Sequence, residues 1–127
     1  MSIHPFDSDP HAEWLQTGQS VFQAGESGEV MYAVLDGAVD LVVRGQLVET
    51  VGAGGVFGEM ALIDNQPRTA AAIVKTAARL VLISRKRFLF LVQQNPYFSL
   101  LLMSVMARRL RRMDEGLRAP AAARWPE

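Results

Sequence analysis

"GGVFGEMALIDNQPRTAAA", residues 54–72, decides the reading of this chain. It places glycines, one acid, a short apolar run and a single arginine beside a threonine between flanks that read as plain β-strand. That set of groups suits a small, singly charged anion carrying a sugar. A phosphate wants backbone N–H groups converging at the start of a helix, with glycine there so that the chain approaches closely. Gly54 and Gly55 loosen the strand exit, Gly58 permits close approach, and "EMALI" forms one helical turn. Arg68 supplies a planar fork that binds two phosphate oxygens at once. Pro67 stiffens the loop that delivers it, and the small "TAAA" after it leaves room for a base. A carboxylate belongs on sugar hydroxyls rather than on phosphate, and Glu59 fits that role. The same residues also fit a structural helix cap and an ion pair, and composition alone does not separate the two readings.

Working outward, Trp14 to Ile83 reads as strands punctuated by glycine. "SVFQAG" leads into "GESGE", where Gly25 and Gly28 are expected to supply the freedom of a tight turn. "VMYAVLDG" and "AVDLVV" follow as two strands with Gly37 marking the turn between them. "RGQ" at 44–46 is short enough for a hairpin, from which "LVETVG" returns. After the quoted segment come "AAAIVK" and "RLVLIS". Short strands separated by turn signals predict an antiparallel β-roll or jelly-roll barrel. Then the period changes. "RKRFLFLVQQ" reads as a short helix, and Asn95–Pro96 pairs a side-chain acceptor at the N-cap with proline at the first position of a longer C-terminal helix. The expected organisation is a flexible tail at 1–12, a domain at 13–117 with a β-roll at 13–84 and helices at about 85–117, and a disordered tail at 118–127.

Within the long helix, Met103, Met106, Leu110, Met113 and Leu117 form a narrow heptad-like seam flanked by arginines and acids. Two readings fit it: the stripe covers its own barrel, or it meets a partner helix, most simply that of a second subunit. A helix packed on a sheet usually shows a wider apolar face.

Composition narrows the function classes. The 127 residues are half hydrophobic and one-fifth charged, ordinary for one globular domain. Lys plus Arg equals Asp plus Glu at 13 each, so no global field draws in nucleic acid or an anionic membrane. With no cysteine, thiolate metal sites and cysteine nucleophiles are excluded. The two histidines, His4 and His11, lie outside the barrel region, so neither a cupin-like metal centre nor a nucleophilic triad has its imidazole there. The start lacks a secretory pattern, and the apolar runs fall short of the roughly 20 residues that span a bilayer. A cytoplasmic, non-enzymatic protein without cofactor or metal is expected.

"FGEMALIDNQPRTA" (57–70) resembles the phosphate-binding cassette of the cyclic nucleotide-binding domains found in catabolite-activator-type regulators, kinase regulatory subunits and nucleotide-gated channels. "GESGEVMYAVLDGAVDLV" (25–42) and "RFLFLVQQNPYFSLLLMSVMARRL" (87–110) extend the likeness over about residues 18–113. The resemblance implies that Glu59 accepts hydrogen bonds from the ribose 2′-hydroxyl and that Arg68 pairs with the cyclic phosphate. It further implies that the backbone at Gly58 and Ala61 lines the sugar-phosphate, with Met60 in the same ligand-binding set. Thr69 stands where a hydroxyl helps to hold guanine, although adenine-binding relatives also carry one, so cAMP and cGMP both stay open. DNA-binding relatives continue into a helix-turn-helix, and this chain instead reaches an Ala/Pro tail, so a stand-alone receptor signalling through its C-terminal helix is expected. The alternative is a scaffold or dimerisation module of the same fold that binds no nucleotide.

Overall fold

The computed structural model describes the backbone of Asp9 and residues 11–117, and side chains as far as Arg112. The expected tail at 118–127 lies outside the described residues, as does almost all of 1–10. The elements run β1 (Glu13–Leu15), β2 (Ser20–Phe22), β3 (Val30–Val43), β4 (Gln46–Gly52), β5 (Val56–Phe57), α1 (Met60–Asp64), β6 (Ala71–Ser84), α2 (Arg85–Gln94) and α3 (Pro96–Leu117). The strands form one six-stranded antiparallel sheet followed by helices, the β-roll class read from the sequence.

Two 14-residue strands, β3 and β6, are its spine, paired from Val30 opposite Ser84 to Val42 opposite Ala71. β1 and β2 pair with β6, while β4 and β5 pair with β3. Their aliphatic and β-branched runs are suited to strands. Met31, Ala33 and Val34 on β3, and Leu80, Val81 and Ile83 on β6, are all buried. Phe22, Val34, Val39, Val51, Phe57, Val74 and Leu80 make the main core cluster.

Gly37 does not reverse the chain. The expected strands on either side of it are a single strand, and so are "AAAIVK" and "RLVLIS". Gly37 has φ +80°, and a Cβ there would collide with the Ala77 carbonyl oxygen. The β3–β6 register shifts on both sides of it. The glycine therefore marks a bulge, where an extra residue is absorbed and the opposite strand approaches closely. The Arg44–Gly45 turn between β3 and β4 is the expected tight hairpin, with both residues at positive φ (52° and 78°).

The chain falls into two compact units that divide between Phe90 and Leu91. In the first, Asp9 pairs with Arg87. Burial raises the Asp9 carboxyl, but the His11 amide and Arg87 together hold it below the ordinary carboxylate value. In the second, the Asn95 side chain accepts from the amides of Tyr97 (3.0 Å) and Phe98 (3.3 Å), as expected of an N-cap. Along α3 the buried residues are Phe98, Leu101, Leu102 and Val105, spaced as one helical face. Met103 and Leu110 of the seam are 63% and 65% exposed, and Met106 is half-buried. The side chains of Met113 and Leu117 lie outside the described residues. The seam is therefore distinct from the buried positions of α3 at Met103 and Leu110.

Candidate functional site

The quoted segment leaves β4 through Gly54 (φ +90°), runs along β5, and turns at Gly58 (φ +80°) into α1. Asn65, left-handed at φ 58°, ends α1 after five residues. Arg85, the first residue of α2, clamps that end by donating to the Leu62 carbonyl and the Asn65 side-chain oxygen, both at 2.7 Å. Glu59 stands at the N-cap of α1 in helical conformation, and its side chain makes no capping hydrogen bond. The capping reading of Glu59 is thereby removed. Its carboxylate is nevertheless buried, only 2% exposed.

Arg68 comes to the same place from the other side of the loop. Its amide donates to the Glu26 carbonyl (2.8 Å) and its carbonyl accepts from the Gly25 amide (2.7 Å), so the turn after β2 holds its backbone. Its guanidinium is turned inward and the residue is 7% exposed. Nη1 donates to the Gly58 carbonyl at 2.8 Å and Nη2 to the Val30 carbonyl at 2.7 Å. Nε is buried with no hydrogen-bond partner among the described residues. Such a donor costs roughly 1–3 kcal/mol while it stays unpaired. Burial pushes the Arg68 pKa below its ordinary value, against the upward pull of Tyr32, Glu26 and Glu59. An arginine remains charged under that pressure, so the site is a desolvated cation with donor capacity in reserve.

The structure thus gathers half-buried Gly58 and buried Glu59 and Arg68 into one cluster, with Ala61 also buried in the adjoining turn. Met60 and Thr69 lie on the surface. Gly28, Val30, Phe22 and Tyr32 also belong to the neighbourhood of Arg68, and motif reading passed over them. Gly28 was expected to provide turn flexibility, and Gly25 does so at φ +91°. At Gly28 the requirement is space, since a Cβ would collide with the Arg68 guanidinium. Burial raises the Tyr32 hydroxyl above its ordinary value, although nearby Arg68 opposes the shift. A separate cavity of about 200 Å³, lined by Leu15, Val21, Leu80 and Leu82 among others, shares only Tyr32 with these residues. Among the described residues no cluster of His, Cys, Asp or Glu is placed to hold a metal ion, and no single helix is long and apolar enough to cross a membrane.

The model of the cyclic nucleotide-binding domain matches residues 12–95, well over half of the chain. This chain belongs to the cyclic nucleotide-binding domain family. Within the family it is 33% identical over 105 residues to a CRP-like cAMP-activated global transcriptional regulator of Mycobacterium tuberculosis, covering 79% of this chain and 47% of that protein. The catabolite activator protein of Thermus thermophilus aligns in structure with a TM-score of 0.76 and 28% identity, over 94% of this chain and 61% of the other. A cAMP-bound structure of PfPKA-R aligns with a TM-score of 0.71 and 25% identity, over 82% and 36%. The chain therefore spans about half the length of the curated relative it matches.

Proposed function

We propose that this domain is a cyclic nucleotide receptor module, without catalytic activity of its own, that takes cAMP or cGMP against Arg68 and Glu59. The observation that carries the proposal is the buried Arg68 guanidinium, which has an unpaired Nε and lies beside a buried carboxylate. A cyclic phosphate oxygen would supply the missing acceptor, and the ribose hydroxyls would face Glu59. Gly58 and Ala61 bring the backbone to the sugar-phosphate, with Met60 and Thr69 at the rim, where Thr69 would read the base. The cAMP-bound relative supports this choice of ligand. The module needs no cofactor or metal and works in the cytoplasm. Its output passes through α3, whose exposed Met103 and Leu110 favour contact with a second subunit or partner through the Met103–Leu117 seam.

The discriminating experiment compares thermal midpoints in the presence of cAMP, cGMP and linear 5′-AMP. A ligand that binds only the folded state raises the midpoint by mass action. We expect a concentration-dependent rise with at least one cyclic nucleotide and none with 5′-AMP, whose phosphate carries a further charge. Equal midpoints with all three would leave the exposed seam as the better guide, and with it a dimerisation module of the same fold.

A further inference from the structure

Hydrogen bonds are not all that holds Arg68. Its guanidinium carbon sits 4.1 Å from the centroid of the Phe22 ring and 5.9 Å from that of Tyr32. Phe22 packs in turn on Tyr32 and Phe57, at centroid separations of 5.8 and 6.0 Å. Tyr32 and Phe57 stack at 5.1 Å, so the three rings form one continuous shelf. Phe22 and Phe57 are buried, as is the guanidinium.

We propose that Phe22 is a positioning residue for the anion site, its ring fixing the plane of the Arg68 guanidinium before ligand arrives. The inference rests on the receptor reading above and adds to it a residue that touches the cation rather than the nucleotide. Arginine is long and rich in rotamers, and a fork that must meet two phosphate oxygens loses that freedom on binding unless it has been lost beforehand. A ring under the guanidinium attracts its face, whereas hydrogen bonds leave from its edge. The aromatic contact thus orients the cation without using a donor that phosphate needs. The Gly58 and Val30 carbonyls fix two points on the edge, and the ring fixes the plane in which they lie. Because the pair is desolvated, the attraction is weakly screened. An aliphatic side chain of similar bulk would fill the core but supply no quadrupole.

The test is calorimetric titration of the wild-type protein, Phe22→Met and Phe22→Tyr with cAMP and with cGMP. Side-chain NMR of Arg68 in the ligand-free proteins accompanies it. We expect Phe22→Met to bind about tenfold more weakly while remaining folded, and Phe22→Tyr to stay within about threefold of wild type, since it keeps the ring. The ring-current shift on the Arg68 Nε–H signal should persist in Phe22→Tyr and shrink in Phe22→Met to the smaller part due to Tyr32. Wild-type affinity in a folded Phe22→Met would overturn the proposal, as would an equal loss in both variants. Should Phe22→Met fail to fold, Phe22→Leu serves the same comparison. If wild type binds neither nucleotide, the receptor reading fails while the NMR comparison still decides whether Phe22 holds Arg68. An unchanged Arg68 signal in the aliphatic variant would mean that it does not.

Discussion

The Arg68 guanidinium donates to backbone carbonyls of other residues in this structure. The Gly58 and Val30 carbonyls occupy its two terminal nitrogens, and Nε is left buried and unpaired. A guanidinium so placed adds little to fold stability, because the desolvation of a buried charge is repaid only by good partners. Arg68→Ala should therefore cost about 3–5 kcal/mol of cyclic nucleotide affinity, the penalty of leaving a phosphate desolvated without its cation. A loss below about tenfold on titration would remove Arg68 from the role given to it. At this scale the chemistry was partly legible. The opposite charges of Glu59 and Arg68 and the glycine before the acid suited one anion site but equally a cap and ion pair, and the residue order of the family motif tipped the reading. Gly28 was not legible, because a glycine that makes room looks in sequence like a glycine that makes a turn. Phe22 was hidden more deeply. As an apolar residue in a strand it is explained by the core, and only the three-dimensional contact reveals the cation above it.

At the scale of elements, the sequence reading placed strands, helices and the Asn95 cap where the structure has them, but it cut the two spine strands in half. Glycine and small residues signal interruption in one dimension, whereas a bulge continues the pairing. Gly37 supplies the corresponding prediction. Its positive φ and the proximity of the Ala77 carbonyl leave no place for a β-carbon. Gly37→Ala should destabilise the domain by roughly 2–4 kcal/mol, combining backbone strain with displacement of β6. Chemical denaturation that shows less than about 1 kcal/mol would mean that the bulge is soft. α1 depends on its neighbours in a comparable way. One short helical turn has little stability of its own, and Arg85 ties its far end to the first residue of α2. The cassette is thus joined to the start of the helical segment by a side chain that the motif does not include.

For the whole molecule, the open question is what α3 meets. Its buried residues are Phe98, Leu101, Leu102 and Val105, and Met103 and Leu110 are exposed. The sequence showed the seam but not what covers it, since periodicity records that a face is apolar and not its partner. Met106→Glu combined with Leu110→Glu should halve the sedimenting mass if the seam joins two subunits, with thermal stability of the isolated domain little changed. An unchanged sedimentation profile would return the stripe to a role within one chain. Methionines in such a seam would give an adaptable contact, suited to the proposed role of α3 in passing on ligand state. Coupling of that kind requires that the nucleotide bind the two helix arrangements with different affinity.

The central claim is that the buried Arg68–Glu59 cluster receives a cyclic nucleotide. Calorimetric titration of the purified wild-type protein, shown to be free of copurified nucleotide, with cAMP and with cGMP at one salt concentration tests it most directly. Saturable binding at micromolar or lower concentration to at least one of them is the predicted result, and the preferred base would show how Thr69 is used. No heat with either nucleotide from a folded sample would contradict the account and leave the domain as a scaffold.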